Sequence, residues 1–371
     1  MAEPSELEKA VEKVTPEQIA ARYESIERRT ERLDRLCDLL PGVSDPLDAV
    51  DREELISREE WESRSGASRR KAVGFLYREH LRDRHQLHPP LHFHQSGRSD
   101  VFDRAHARSI EKRKLVFRYR KNYPKTALSP AGTIPVEPLI GLVPRMKTTP
   151  TEDLPVILNS RLFHFVWVHY HGETSGEDAV PHEARLAGFQ CPMLTKRTGG
   201  EFRELRDEIL ELSAKNAELL VERDRMHKLA EEAGVPLVPV HRTEGIVREV
   251  NVPRPLTEVA GVARRGPVVI FRRGSTIVTT TEEAATYLEL WLRWRFDRLR
   301  GMTREELEEF LRLPASTAQV VVVLQRRAEI EEEIDGNQDR IDELQEEAEQ
   351  RLYDLYDLTE AEREWLRIHY G

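Results

Sequence analysis

Apolar residues recur at helical spacing in two long segments of the chain. The first seam alternates steps of three and four residues and consists of Phe202, Leu205, Ile209, Leu212, Asn216, Leu219, Arg223 and Met226. The second seam consists of Ile330, Ile334, Asn337, Ile341, Leu344 and Ala348. Heptad spacing of this kind predicts two helices that pack along their apolar faces.

Each seam contains one asparagine at a core position. A buried asparagine costs stability unless it finds a hydrogen-bond partner, and its best-attested role is to fix the register of paired helices. The sequence therefore predicts that Asn216 and Asn337 bring the two helices together, with enough chain between them to return antiparallel. The alternative is that each asparagine lies at the edge of its seam, in water.

The spacing of apolar residues differs between segments of the remaining chain and suggests where one segment ends and the next begins. Residues 64–200 show short periods, with strand patterns such as LVFRYR, and the runs VAGVA, PVVIF and TIVTT predict a small antiparallel meander. The predicted segments are an acidic helical region at 1–63, a basic α/β module at 64–200, a long heptad helix at 201–234, the β-meander at 235–281 and an acidic helical region with the second heptad helix at 282–371. The fold class is α+β, with a mixed module flanked by long helices that form an antiparallel coiled-coil spacer.

The most apolar stretch is DLPVILNSRLFHFVWVHYHGE, at 153–173. Asp153 can cap a helix and Pro155 is tolerated in a first turn, so a buried helix is predicted. Charged and polar residues interrupt the stretch, and no apolar run reaches the roughly 18 residues of a membrane span. The N-terminal residues lack the apolar region of a signal peptide. Two cysteines are too few for a disulfide framework, so a reduced, cytoplasmic location is expected.

Charge is distributed unevenly along the chain. The formal net charge of −10 argues against a general nucleic-acid binder. Residues 64–125, however, carry 17 Lys and Arg against 5 Asp and Glu. Residues 1–63 carry 9 against 18, and residues 281–371 carry 12 against 24. A basic middle therefore lies between two acidic ends, an asymmetry that the net charge conceals.

The basic segment interleaves cations with aromatic residues in EKRKLVFRYRKNYPK. In a strand, Lys114, Arg118 and Arg120 share one face, which is predicted to contact phosphates. The alternative is a solvated basic surface, or one that docks the acidic helices of the same chain. The predicted DNA-binding residues are Arg69, Arg70, Lys71, Arg98, Arg108, Lys112, Arg113, Lys114, Arg118, Arg120, Lys121, Lys125, Lys196 and Arg197.

Enzyme signatures are missing from the sequence. It has no GxGxxG, no P-loop, no GxSxG and no Asn-Pro-Pro-Tyr motif, so no catalytic residue and no cofactor are predicted. Five histidines lie close together, namely His80, His85, His88, His92 and His94. Three of them could bind a metal ion, but their spacing matches no common ligand pattern. Loop histidines beside phosphate-binding arginines are the favoured interpretation, and no metal site is predicted.

Several motifs resemble one family of proteins. ILNSRLFHF, at 157–165, resembles the LLNSKLF helix in the target-recognition domain of type IIG-like restriction-modification enzymes and adenine-specific DNA methyltransferases. AGFQCPML and the long helix after it stand where that family has a Leu-Pro-like segment and a Glu/Lys/Leu-rich helix. The closing RIDELQEEAEQRLYDLYDLTE resembles the family's IDELVYELYGLTEEE, with Asp357 where glycine is usual. The resemblance extends roughly from Val136 to Glu364.

The resemblance implies a target-recognition part without the family's catalytic domain, because the cofactor loop and the Asn/Asp-Pro-Pro-Tyr motif are missing. It therefore implies a non-catalytic specificity subunit of a restriction-modification or related phage-defence system. Such a subunit would bind double-stranded DNA and dock a separate methyltransferase or restriction subunit through its acidic helices. Two alternatives stay open: a coiled-coil scaffold or inhibitor that binds a defence enzyme without touching DNA, and a metal nuclease built on the histidines at 80–94.

Overall fold

A computed structural model describes residues 5–25, 30–43, 55–69, 72–90, 92–94, 104–120, 123–147, 151–171, 183–192, 200–256, 262–271, 274–299 and 301–371. The helices are α1 Glu6–Val11, α2 Pro16–Ser25, α3 Leu33–Leu36, α4 Arg58–Ser63, α5 Gly66–Arg69, α6 Arg104–Ser109, α7 Asp153–Leu158, α8 Arg161–His171, α9 Glu183–Ala187, α10 Gly200–Asp224, α11 Met226–Glu232, α12 Glu282–Trp294, α13 Arg304–Phe310, α14 Thr317–Leu355 and α15 Glu360–Tyr370.

The strands are β1 Thr30–Arg32, β2 Cys37–Pro41, β3 Leu55–Ser57, β4 Val73–Leu76, β5 Leu81–Asp83, β6 Gln86–Leu87, β7 His92–His94, β8 Lys114–Arg120, β9 Tyr123–Ser129, β10 Thr133–Pro135, β11 Ile140–Pro144, β12 Gln190–Pro192, β13 Leu237–Pro239, β14 Val247–Asn251, β15 Ala263–Arg265, β16 Val268–Ile270, β17 Thr276–Thr279 and β18 Arg312–Pro314. The predicted α+β class is confirmed.

Two four-stranded sheets form the α/β module. One is antiparallel in the order β2-β11-β8-β9, and the other runs β10-β4-β7-β3 with β10 parallel to β4. Strand β8 is buried on both faces. Leu115 and Phe117 point into the largest core, while Val116 packs in a smaller cluster with Leu76 and Leu81. The module therefore has apolar layers on both sides of its central strand.

The stretch 153–173 forms two buried helices rather than one. Glu152 is the N-cap of α7, and the carboxylate of Asp153 binds Arg206 instead of capping the helix. Asn159 ends α7, and the Ser160 hydroxyl accepts a hydrogen bond from the Phe163 amide at 3.1 Å as α8 begins. Of the described helices, none has both the length and the apolar character that crossing a bilayer requires.

The largest core joins distant parts of the sequence. It contains residues of α2 and α3, of β8 and β11, of α7 and α8, and of the first half of α10. The C-terminal part of α14 and helix α15 complete it, through Ile341, Leu344, Leu352 and Leu366. We call everything packed on this core the first unit. The C-terminal half of α14 and helix α15 are therefore part of the first unit.

A second core gathers α11, α12, α13, the N-terminal half of α14 and the meander, which we call the second unit. The meander is a four-stranded antiparallel sheet in the order β14-β17-β16-β15. The runs PVVIF and TIVTT form β16 and β17 as predicted, whereas β15 begins at the last residue of VAGVA and continues through Arg264 and Arg265. Strand β14 was not predicted because a register shift between Val247 and Glu249 breaks its alternation. Residues 259–261 of the run VAGVA lie outside the described residues.

Helices α10 and α14 pack against each other over their length, and we call them the spacer helices. Their cross-helix ion pairs are Glu208 with Arg340 at 3.0 Å, Lys215 with Glu333 at 2.6 Å and Glu222 with Arg326 at 3.7 Å. In these pairs one residue number rises as the other falls, so the helices are antiparallel. Helix α10 ends at Asp224 rather than at Gly234, and α11 continues after a break at Arg225.

The two asparagines meet inside the spacer. Asn337 donates from Nδ2 to Oδ1 of Asn216 at 2.8 Å, and Asn216 Nδ2 lies 3.4 Å from the carbonyl oxygen of Ile334. Asn216 is fully buried and Asn337 is half-buried. The pair fixes one register of the two helices, because a shift by one heptad would leave the amide of Asn216 opposite an apolar side chain.

Replacing one member of the pair should destabilise the protein more than replacing both. Asn337→Leu leaves Oδ1 of Asn216 buried without its donor, which costs about 1–3 kcal/mol. The double variant Asn216→Leu with Asn337→Leu removes both polar groups and should recover most of that loss. Denaturant unfolding of the wild type, both single variants and the double variant measures the coupling. Additive losses in the double variant would contradict the pairing.

Candidate nucleic-acid interface

The predicted DNA-binding cations divide into exposed and buried groups. Arg69, Arg108, Lys112 and Arg113 are exposed. Arg108 and Lys112 have no ion-pair partner within the described ranges, and the guanidinium of Arg69 lies 5.8 Å from the ring centroid of Trp61. These residues are available to a phosphate backbone without breaking a buried contact.

Lys114 and Arg118 do not face solvent, and this corrects the prediction that they contact phosphates. Lys114 is fully buried, donates from Nζ to the carbonyl oxygen of Thr133 at 2.9 Å, and has its pKa lowered to about 8 by burial. Arg118 donates to the carbonyl oxygen of Arg78 at 3.0 Å. The physical reason is the second apolar layer, which covers the face of β8 that a lone amphipathic strand would expose.

The remaining predicted cations have other positions. Lys125 is 3.2 Å from the carboxylate of Asp83. Arg120 ends strand β8, and nothing is described of its side chain. Six predicted residues lie outside the described ranges: Arg70, Lys71, Arg98, Lys121, Lys196 and Arg197.

One edge of the antiparallel sheet collects the exposed cations. Strand β8 begins where its neighbour β11 ends, since Leu115 is opposite Leu142, so Arg113 and Arg145 lie on the same edge. Arg145 and Lys147 are exposed there, and the sequence reasoning missed both because it did not pair these strands. We call the group Arg108, Lys112, Arg113, Arg145 and Lys147 the basic edge.

Carboxylates at this edge partly neutralise it. Arg113 is 3.2 Å from Glu152, and Arg145 is 2.9 Å from Asp38, with all four side chains about half exposed. Exposed ion pairs contribute only about 0–1 kcal/mol each. A phosphate can therefore replace either carboxylate at small cost.

The histidine-rich segment is built into the core. His80, His85, His88 and His94 are buried, and the side chain of His92 is not described. The polar partners of three are the Tyr77 amide for His80, Gln345 for His85 and Asp224 for His88. Across the described ranges, no group of three His, Cys, Asp or Glu side chains could hold a metal ion. These histidines pack the module rather than standing beside phosphate-binding arginines.

Asn159, from the motif ILNSRLFHF, joins α7 to the neighbouring strand. Its Oδ1 accepts a hydrogen bond from the Thr126 amide at 2.7 Å, and its Nδ2 donates to the Thr126 carbonyl oxygen at 2.8 Å. The side chain of Asn159 is fully buried. It therefore bonds to the backbone of β9 as a neighbouring strand would, and this holds α7 in place.

Arg161, two residues later, joins the module to the long helix α14. Its guanidinium lies 2.8 Å from Glu349 Oε2, and its amide donates to Glu349 Oε1 at 3.2 Å. The hydroxyl of Tyr353 donates to Oε2 of Glu349 at 2.9 Å. Burial raises the pKa of Glu349, and the charge of Arg161 opposes that shift. The carboxylate is fully buried, and Gln345 Nε2 is a fourth donor, at 3.4 Å from its Oε1.

Gln345, one turn before Glu349, completes the junction. It donates from Nε2 to the carbonyl oxygen of Val156 at 3.0 Å, and its Oε1 lies 2.8 Å from Nε2 of His85. The two sequence motifs that carry the family resemblance, ILNSRLFHF and RIDELQEEAEQRLYDLYDLTE, therefore meet in space. Their shared residues hold the module on a spacer helix.

No protein-family model matches this sequence, and no curated protein matches it. Among solved structures, the chain is similar to one from a study of the complex assembly and conformational transition of a type I restriction-modification system. The two chains are 12% identical, the TM-score is 0.34, and the match covers 88% of this chain and 97% of that one. This chain is also similar to the S subunit of a type I restriction-modification system from M. genitalium, with 10% identity, a TM-score of 0.32, and coverage of 89% and 96%.

A third similar structure is the HsdS subunit from Thermoanaerobacter tengcongensis, with 12% identity, a TM-score of 0.31, and coverage of 88% and 96%. These descriptions name type I restriction-modification systems, whereas the sequence resemblance is to type IIG-like enzymes. At TM-scores this low, the likeness carries no argument about what the residues of this chain do.

The buried His85 should make stability depend on pH. Burial lowers its pKa from 6.5 to about 4, so the unfolded chain binds more protons than the folded chain between these values. The stabilisation is present above pH 6.5 and is lost as the pH falls through this window. His85→Asn keeps a residue that tolerates the φ of 60° at this position.

Between pH 7 and pH 5, the loss of unfolding free energy should be smaller by about 2 kcal/mol in His85→Asn than in the wild type. Denaturant unfolding at the two pH values provides the measurement. The matched control is His241→Asn, at an exposed histidine of the second unit. An equal change in that control would contradict the assignment to His85.

Proposed function

We propose that this chain is a non-catalytic DNA sequence-specificity subunit of a restriction-modification or related phage-defence system. Its α/β module binds duplex DNA, and a separate methyltransferase or restriction subunit docks on its helices. The observation that carries the proposal is the buried junction of Asn159, Arg161, Gln345 and Glu349, which joins the two family-like motifs. A module fixed rigidly on a long spacer suits a protein that positions a bound DNA relative to a partner.

The basic edge supplies the phosphate contacts in this proposal. Arg108 and Lys112 are exposed, and the ion pairs of Arg113 and Arg145 are about half exposed. Contacts to phosphates place a protein on the duplex, and contacts to base edges give sequence specificity. The base contacts are proposed to come from loops, and the predicted residues Lys121, Lys196 and Arg197 lie outside the described ranges.

The outer face of spacer helix α14 suits the docking of the enzyme subunit. Its exposed acids include Glu332, Asp335, Asp339 and Glu347. A row of exposed acids on a long helix offers a complementary surface to a basic partner and increases the rate of encounter. The partner would supply the catalytic residues and any cofactor, and would act on a base rotated out of the duplex. The proposal implies a cytoplasmic location.

A second candidate is a scaffold or inhibitor that binds a defence enzyme and does not contact DNA. The burial of Lys114 and Arg118 favours it, because two of the predicted phosphate contacts are engaged inside the protein. The two candidates differ in one measurable property, since only the specificity subunit needs the cations of the basic edge.

Charge reversal at the basic edge should weaken DNA binding. Arg108→Glu with Lys112→Glu replaces two exposed cations, and each lost phosphate contact reduces the salt dependence of binding by about one unit of slope. We expect the affinity for duplex DNA to fall by roughly tenfold or more at moderate salt. Gel-shift and footprinting assays, with and without the product of a neighbouring methyltransferase or restriction gene, measure this affinity.

The matched control is Lys9→Glu with Lys13→Glu, which makes the same change in net charge at two exposed lysines of the N-terminal region. It should bind DNA as the wild type does. An equal loss in both double variants would show that net charge, and not the basic edge, governs binding. DNA binding by neither the chain alone nor the chain with its partner would overturn the proposal and leave the scaffold.

A further inference from the structure

A cavity of about 290 Å³ lies where the first unit, both spacer helices and the second unit meet. His80 and His88 line it from the first unit, Arg223 and Asp224 from the end of α10, and Arg327 and Glu331 from α14. Helix α12 contributes Leu290, Arg293 and Trp294, and Glu79 completes the lining. The basic edge and the motifs ILNSRLFHF and RIDELQEEAEQRLYDLYDLTE contribute no residue to this lining, whereas His80 and His88 belong to the histidine-rich segment and Arg223 to the first heptad seam.

Two buried donors of the cavity lining have no acceptor among the described residues. One is the indole Nε1 of Trp294, a side chain that is 4% exposed, and the other is Nε of Arg327. A buried donor without an acceptor loses its hydration with no compensation, and native proteins contain few such groups. No buried acceptor of the same lining lacks a partner in the described ranges. A ligand that suits this cavity would therefore supply hydrogen-bond acceptors.

The carboxylates of the lining are already engaged. Asp224 lies 2.7 Å from His88 and 2.9 Å from Arg223, so one carboxylate serves two basic side chains. Glu331 is 2.6 Å from Arg327, and Glu79 is 3.0 Å from Arg78 outside the cavity. These carboxylates are already paired with other basic groups, and none of them accepts a hydrogen bond from Trp294 Nε1 or Arg327 Nε.

Two helices end at this cavity, α10 at Asp224 and α12 at Trp294. Arg223 and Arg293 lie in the last turns of these helices, where the helix dipole favours a cation. Arg293 is also paired, at 2.6 Å, with Glu289 on its own helix. The arginine guanidinium matches phosphate oxygens in geometry as well as in charge.

We propose that this cavity binds a phosphate-bearing small molecule of about nucleotide size. Arg327, Arg223 and the indole N–H of Trp294 donate to its phosphate oxygens, and the ring of Trp294 with Leu290 contacts its apolar part. The volume is close to the lower end of ligand pockets, which begin at about 300 Å³. Because the ligand would touch both units and both spacer helices, its binding would hold them together. The site is independent of the proposed DNA contact.

Calorimetric titration of the full chain with adenosine monophosphate, inorganic phosphate and adenosine tests the proposal. Adenosine monophosphate should bind, and adenosine should bind at least tenfold more weakly, since it lacks the phosphate oxygens. Trp294→Phe removes the N–H and keeps most of the ring, and Arg327→Gln removes the guanidinium. Each should weaken binding of the nucleotide by about tenfold.

The matched control is Trp291→Phe, one turn earlier on the same helix. Its indole Nε1 is also buried without an acceptor among the described residues, but Trp291 does not line the cavity. This variant should bind the nucleotide as the wild type does. If Trp294→Phe does not fold, Arg327→Gln is compared with the control alone.

Binding of inorganic phosphate as tight as that of the nucleotide would support the phosphate contacts and overturn the nucleotide size. No binding of either phosphate compound at millimolar concentration would overturn the proposal and leave water as the acceptor. Equal binding of adenosine and its monophosphate would overturn it as well. Equal weakening in Trp291→Phe would show that the ligand binds elsewhere.

Discussion

The buried carboxylate of Glu349 is the interaction on which the arrangement of the first unit depends. A charge removed from water must be paired, and breaking such a pair costs about 3–5 kcal/mol. Here the guanidinium and amide of Arg161 and the hydroxyl of Tyr353 satisfy it. Because Arg161 begins α8 and Glu349 lies in α14, the orientation of the module on its spacer is set by a polar contact as well as by packing.

Burial of β8 on both faces decides which charges of the module can act. Lys114 and Arg118 end at backbone carbonyl groups inside the protein, while the cations before β8 and after β11 reach solvent. Within one basic segment of the sequence, some cations therefore form structural hydrogen bonds inside the protein, and others are exposed and can contact a ligand. A ligand of the module meets the ends of the strands rather than a strand face, which is where loops can differ without disturbing the core.

The features that the sequence predicted correctly were those in which apolar residues recur at a regular spacing within one segment. The heptad seams, the strand LVFRYR and most of the meander depend on neighbours within a few residues, and the structure has all three. Three features depend on the order of the strands, which no local sequence pattern contains. They are the burial of Lys114, the position of Arg113 and Arg145 on the same edge, and the hydrogen bonds between Asn159 and Thr126. The break of the apolar stretch at Asn159 was likewise hidden, since the side chain of that residue bonds to β9, which is distant in the sequence.

The first core is discontinuous in sequence, whereas the second core is formed by residues 220–334 alone. During synthesis, the ribosome releases the whole second unit before residues 341–366 emerge. Domains generally fold as they become complete. The module therefore cannot complete its core until the C-terminal part of α14 and helix α15 have emerged. Until then, the apolar surface that these helices cover is exposed. A binding factor present at that moment would meet a surface that the finished protein conceals.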